Sequence, residues 1–221
     1  MNTPLKLATL PLLSLTLALP ASQAETVTWT GSTDADWSED ANWFDSVGFS
    51  DLDSILFSHL SLSNLATNND LVGQTVTGIT VTNPAGNVSI GGNTFSLGSG
   101  GITLSGDQNL TISAPITLTT AQEWNIAAGR QVTMDGTTIT SGPTVPITLT
   151  GGGTLGFADG SPEQPNWEGG VVIEAGTLSS RQTTGENTVR QWLGTGLLSL
   201  QGLEPNSATV EIRAFNNANG S

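Results

Sequence analysis

The chain has 221 residues, carries 19 acidic side chains against five Lys and Arg, and has a formal charge of −14. That charge disfavours any role that depends on phosphate contacts, so nucleic acid is excluded as a partner class. Cysteine is absent, which rules out disulfides, thiol chemistry and a cysteine-based zinc site. With 27 Gly, no Tyr and only 11% charged residues, and with Thr, Ser and Asn alternating with apolar residues, the chain predicts short strands and tight turns, an all-β protein.

Residues 1–24 read as a signal peptide: Lys6, the apolar run "LATLPLLSLTLALP", then "ASQA" with the small residues Ser22 and Ala24 at a cleavage site. A membrane anchor fits less well, because the run is short and interrupted by Pro11 and Pro20. Cleavage after Ala24 removes Lys6 and leaves four arginines against nineteen acids, a net −15. The expectation is export through the Sec pathway, to the medium or to the outer-membrane surface, with no transmembrane segment in the mature chain.

Residues 25–75 read as an N-terminal capping segment. It opens with "TWTGSTDADWSEDANWFDS", in which Trp29, Trp37 and Trp43 are interleaved with five acids, and three readings compete for it. As a calcium loop, Asp34, Asp36, Ser38, Asp40, Asn42 and Asp45 reproduce the 1, 3, 5, 7, 9, 12 spacing of oxygen ligands. Glu39 stands where the sharp turn wants Gly, Asp45 stands where a longer Glu reaches the ion, and no helices flank the loop. As a lid, Trp29, Trp37 and Trp43 with Phe44 plug the open end of a stack, each Trp contributing about 4–6 kcal/mol if fully covered. Asp34, Asp36, Glu39 and Asp40 then form a solvated face that discourages end-to-end stacking. As a glycan-binding surface, the three tryptophans offer stacking platforms. The lid is the favoured reading; calcium is the one cofactor left open, and glycans and other surface components are the partner classes left open.

Catalytic signals are sparse. His59, the single histidine, sits in "FSHLSLSNL" without a surrounding motif and reads as structural. Glu163, Glu168 and Glu174 leave open a polysaccharide-cleaving group of acids on one face, although nothing in the sequence pairs them. Arg130, Arg181, Arg190 and Arg213 are scattered. The glycine-rich "GNTFSLGSGG" and "TGGGTLGF" are turns, since no helix and no Lys follow as a phosphate loop requires.

Residues 76–221 form a repeat region. "GITVTN", "GITLSG", "EWNIAAG", "PITLTGGG", "VVIEAG" and "LLSLQG" recur, and Ile79, Ile102, Trp124, Ile147 and Val171 taken as equivalents are 23, 22, 23 and 24 residues apart. "GTL" at 153–155 returns at 176–178, again 23 residues later. A unit of that length, built of short strands, cannot bury its inward face alone. The period therefore predicts a parallel β-helix, with a β-sandwich as the alternative.

"LTGGGTLGF" (149–157), "NWEGGVVIEAGTL" (166–178) and "WLGTGLLSLQG" (192–202) resemble the autotransporter-associated β-strand repeat, also called the passenger-associated transport repeat. Asn166, Gly169, Gly170, Ala175, Gly176, Thr177 and Leu178 carry the pattern, with Trp167 one place earlier than the usual aromatic. The resemblance implies a right-handed parallel β-helix displayed at, or released from, a Gram-negative cell surface, a structural or adhesive passenger without catalysis. The alternatives are a polysaccharide-active β-helix enzyme and a calcium-dependent glycan-binding module. In such proteins the repeats precede an outer-membrane barrel or a sorting tail. Neither follows here, and the stop at "NNANGS" reads as a truncation.

Overall fold

The computed structural model describes residues 24–158, 162, 164, 166–182, 194–202 and 207–214. Residues 1–23 of the expected signal peptide, Glu163, Arg190, Trp192 and the terminal "NNANGS" lie outside the described residues. In chain order the strands are β1 (Thr26–Trp29), β2 (Ser54–Phe57), β3 (Ala66–Asn69), β4 (Thr75–Val81), β5 (Val88–Gly92), β6 (Phe95–Leu104), β7 (Leu110–Ile112), β8 (Ile116–Leu118), β9 (Gln122–Ile126), β10 (Gln131–Met134), β11 (Ile139–Thr140), β12 (Ile147–Thr150), β13 (Thr154–Phe157), β14 (Val171–Ile173), β15 (Gly176–Gln182), β16 (Leu198–Leu200) and β17 (Ala208–Ala214). Helical structure among the described residues is confined to two single 3-10 turns, Asp40–Asn42 and Phe44–Ser46.

Two sheets run the length of the molecule. One has the order β1-β2-β4-β6-β9-β12-β14-β16, with β8 joined to β6 and β11 to β8; the other runs β3-β5-β7-β10-β13-β15-β17. Successive strands of each sheet come from successive passes of the chain, and every ladder between named strands is parallel. The protein is a parallel β-helix. The β-sandwich alternative required antiparallel hairpins, and antiparallel contacts among the described residues are limited to the bridges Trp29↔Trp43 and Ala127↔Gly152.

Alternation within each strand fills the interior. In β9, Gln122, Trp124 and Ile126 are buried while Glu123 and Asn125 face out. Stacked across passes, Ile79, Ile102, Trp124, Leu149 and Ile173 form one inward row, and Val88, Leu110, Val132, Leu155 and Leu178 form another on the second sheet. All ten are buried, and each such aliphatic side chain contributes roughly 1.5–3 kcal/mol relative to exposure. Polar side chains brace one corner of the stack. Asn87 Oδ1 accepts from the Asn109 amide at 2.9 Å, and Asn109 Oδ1 accepts from the Gln131 amide at 3.0 Å.

The "GTL" repeat falls where its spacing placed it, with Thr154 beside Thr177 and Leu155 beside Leu178. The proposed equivalence of Trp124 with Ile147 does not: Leu149 lies beside Trp124, and Ile147 beside Gln122. A slip of two residues keeps every side chain on its face, so alternation alone does not distinguish the two registers. Residues 25–75 supply β1, β2 and β3 to the same two sheets, so the ladders begin at Thr26. Close coil packing constrains Gly101, which has φ +56°; a Cβ there would sit 2.0 Å from the Glu123 carbonyl oxygen.

Replacing an inward residue should therefore act far more strongly than replacing its outward neighbour. In urea unfolding, Leu104→Ala is expected to lose about 2–5 kcal/mol, and Thr103→Ala to stay within about 0.5 kcal/mol of the parent. Equal losses at the two positions would contradict the assigned faces.

Candidate functional site at the N-terminal turn

Among the described residues no coil stacks on the outer edges of β1 and β3, and the loop between β1 and β2 lays aromatic residues there. Trp29 lies at the end of β1 pointing inward, Trp37 follows a bridge between Asp36 and Asn68, and Trp43 bridges back to Trp29. All three are buried to within 1%. Trp29 meets Trp43 edge-on with ring centroids 5.0 Å apart, and Trp37 meets Trp43 at 6.3 Å. The Trp43 indole N–H donates to the Trp37 carbonyl at 2.9 Å, and the Trp37 indole N–H donates to Thr67 Oγ1 at 3.1 Å. Such burial leaves no ring face for a sugar, which removes Trp29, Trp37 and Trp43 as glycan-stacking residues.

Phe44 is not part of this plug. It is 47% exposed, and Phe49 takes its place, 5.4 Å from Trp37 and 5.6 Å from Trp43 between ring centroids. The chain between them turns through positive φ at Asp45, Ser46 and Gly48, which reverses its direction and brings Phe49 back over the rings. Phe95, from the long strand β6, closes the cluster beneath Trp37 at 5.8 Å.

The six oxygen-bearing residues of the candidate calcium loop serve different partners instead of one centre. Asn42 is fully buried and uses its whole amide: Oδ1 accepts from the amides of Thr33 (2.9 Å) and Asp34 (3.1 Å), while Nδ2 donates to Asp34 Oδ1 (2.7 Å) and the Asp36 carbonyl (2.9 Å). Asp34 Oδ1 also accepts from the Asp36 amide at 2.9 Å, and Asp36 Oδ1 accepts from Asn68 Nδ2 at 2.7 Å. Ser38 is tied to Asp70, through its amide at 3.0 Å and its hydroxyl at 2.5 Å. Asp40 lies against Gly48, where a Cβ would come within 2.4 Å of Asp40 Oδ1, and Asp45 is a turn residue at φ 59°. Among the described residues, no group of three or more His, Asp or Glu side chains is disposed around a common point that could hold a metal ion. Glu39 accepts from the Ala41 amide at 3.2 Å and caps the first 3-10 turn, so it is structural as well as acidic.

Asp70 was not distinguished by the sequence and neither was Asp53. Burial pushes the Asp70 carboxyl up, but the hydrogen bonds from the Ser38 hydroxyl and from nearby backbone amides outweigh it and hold the group below the usual carboxylate value. Asp53 is buried and accepts from the amides of Glu25 and Ser50, both at 2.9 Å, which ties the start of β1 to the turn preceding β2.

Elsewhere the sequence candidates stay apart. His59, Glu168 and Glu174 are exposed. Arg130 donates to the Asp107 carbonyl. Glu123 accepts from the Thr150 hydroxyl at 2.7 Å on the outer face of the longer sheet. No helix among the described residues is long and apolar enough to cross a membrane. Comparisons with protein-family models, curated proteins and solved structures find no match for this chain.

Removing the Asn42 amide strands buried partners, so Asn42→Ala should destabilise by about 1–3 kcal/mol in thermal or urea unfolding. Millimolar calcium should leave the melting temperature of the parent unchanged, and a calcium-dependent rise would restore the ion-loop reading. Because the Asp70 pKa is lower folded than unfolded, its contribution is present above the unfolded value and fades as pH falls through the folded one. Ser38→Ala should therefore weaken stability at pH 7 and flatten its acid dependence below about pH 4, near the unperturbed Asp value.

Proposed function

We propose that this chain is an exported, non-catalytic structural or adhesive module, a β-helical stalk carried at or released from a Gram-negative cell surface. The observation that carries the reading is the continuity of the stack: parallel ladders link strands from Thr26 to Ala214, with a buried apolar row on each sheet as far as Ile173 and Leu178. Such a body holds its outer faces at fixed spacing whatever they carry. Those faces are dominated by short hydroxyl side chains, as in the rows Ser96–Thr117–Thr140 and Ser89–Thr111–Thr133.

Two features of the sequence add the direction of transport. The segment ending at Ala24 has the pattern of a secretion signal, and residues 149–202 resemble the passenger-associated repeat of exported bacterial proteins. The −15 charge expected after cleavage favours solubility and opposes binding to nucleic acid. In this reading residues 30–49 are the plug of the stack's first turn, and the ligand-bearing surface lies on the outward positions.

The test is the processing and location of the protein. Expressed as its full sequence in a Gram-negative host, the chain should be recovered outside the inner membrane with Glu25 as its first residue by mass spectrometry. A product retaining residues 1–24 and confined to the cytoplasm would overturn the proposal.

A further inference from the structure

The loop at residues 72–74 and the segment at 93–96 line an open hollow of about 320 Å³ on the outer surface, at the corner where the chain leaves the second sheet and enters β4 and β6. That volume lies at the small end of the range for ligand pockets, which suits one ring and not a nucleotide. Val72 forms an apolar wall, 82% exposed, on a loop whose Gly73 adopts φ +75° with open space around it.

The polar lining is neutral, and Asn93 in it is held in orientation. Asn93 Nδ2 is fixed by the Asp70 and Leu71 carbonyls at 3.0 and 3.1 Å, which leaves its Oδ1 as an acceptor without a partner among the described residues. The Asn69 amide holds this segment from beneath, donating to the Asn93 carbonyl at 2.9 Å. Thr94 and Ser96 keep their hydroxyls free of partners among the described residues, and Gln74 makes one long contact at 3.5 Å to the Val72 carbonyl. No acid, Lys, Arg or His lines the hollow. From Ser96 the uncharged surface continues in register to Thr117 and Thr140.

We infer that this hollow binds a neutral pyranose ring. The apolar wall suits the C–H face of such a ring, while amide and hydroxyl groups that both donate and accept suit its hydroxyls. The lack of charge disfavours anions and metal ions on a chain that is otherwise strongly acidic. The inference rests on the adhesive reading and deepens it by naming the ligand class. It also separates sugar binding from the tryptophans, which the plug uses.

The experiment is an NMR titration of the isotope-labelled mature protein with the methyl pyranosides of glucose, galactose, mannose and N-acetylglucosamine. At least one should give saturable shifts centred on the amides of Gly73, Thr94 and Ser96. Val72→Asp, on the exposed loop, and Thr94→Val, which removes one hydroxyl at nearly constant volume, should each weaken binding about tenfold or more at an unchanged melting temperature. If Thr94→Val lowers the melting temperature, Val72→Asp decides the matter alone. Absence of saturable shifts with all four sugars, shifts centred elsewhere, or a Val72→Asp variant that binds like the parent would overturn the inference. A chain that starts at Glu25 and binds none of the sugars would overturn this assignment while leaving export intact.

Discussion

Everything in this molecule depends on one pass of the chain lying in register on the next. A single coil has two or three short strands and exposes its whole inward face, so neither its apolar side chains nor its backbone groups are satisfied until a neighbour stacks on it. The rows running through Trp124 and Leu110 are the result: each inward side chain has a counterpart above and below, and the parallel ladders pair the backbone at the same time. This also explains the position of special residues. Gly101 is required because the Glu123 carbonyl of the next coil occupies the space a Cβ would fill.

A structure built this way leaves its edge strands β1 and β3 without a stacked coil among the described residues. The chain supplies the missing layer from its own loop, turning Trp29, Trp37 and Trp43 into the space that an earlier coil's aliphatic residues would fill. Large rings suit this task because a few of them cover much area at low conformational cost. Two of their polar edges find partners, Trp37 at Thr67 and Trp43 at a backbone carbonyl, while the buried Trp29 indole N–H has none among the described residues. Asn42 holds the loop in shape from within, using every donor and acceptor of its amide. The acids around it are the outer side of the same loop.

The fold was legible in the sequence because the stack repeats, and a period of about 23 residues with alternating strands has few other solutions. Its exact register was not, since a two-residue slip between Trp124 and Ile147 preserves the pattern and only the turn at 141–146 decides it. The aromatic plug was legible as composition but not in membership. Phe44 stands next to Trp43 in the sequence, yet positive φ at Asp45, Ser46 and Gly48 delivers Phe49 to the cluster. The ligand-like spacing of oxygens from Asp34 to Asp45, the weaker reading beside the lid, has a related account. Spacing describes a loop wrapped around a centre, and here the centre is the Asn42 amide. Asp70 and Asn68, which bind Ser38 and Asp36, come from some thirty residues further on and carry no local signal.

The division of labour within each coil also determines where recognition belongs. Inward positions are committed to packing, and outward strand positions are held flat by their neighbours, so hollows arise where a corner changes length or conformation. The corner at residues 70–74 is such a place. Asn69 turns inward and is fully buried, Gly73 takes a left-handed conformation, and Asn93 from the next coil braces the loop with two hydrogen bonds. The bracing fixes Asn93 against the Asp70 and Leu71 carbonyls before any ligand arrives, so less ordering opposes the proposed association at that residue. A coil stack of this kind holds such a corner in a fixed place relative to the strands on either side of it.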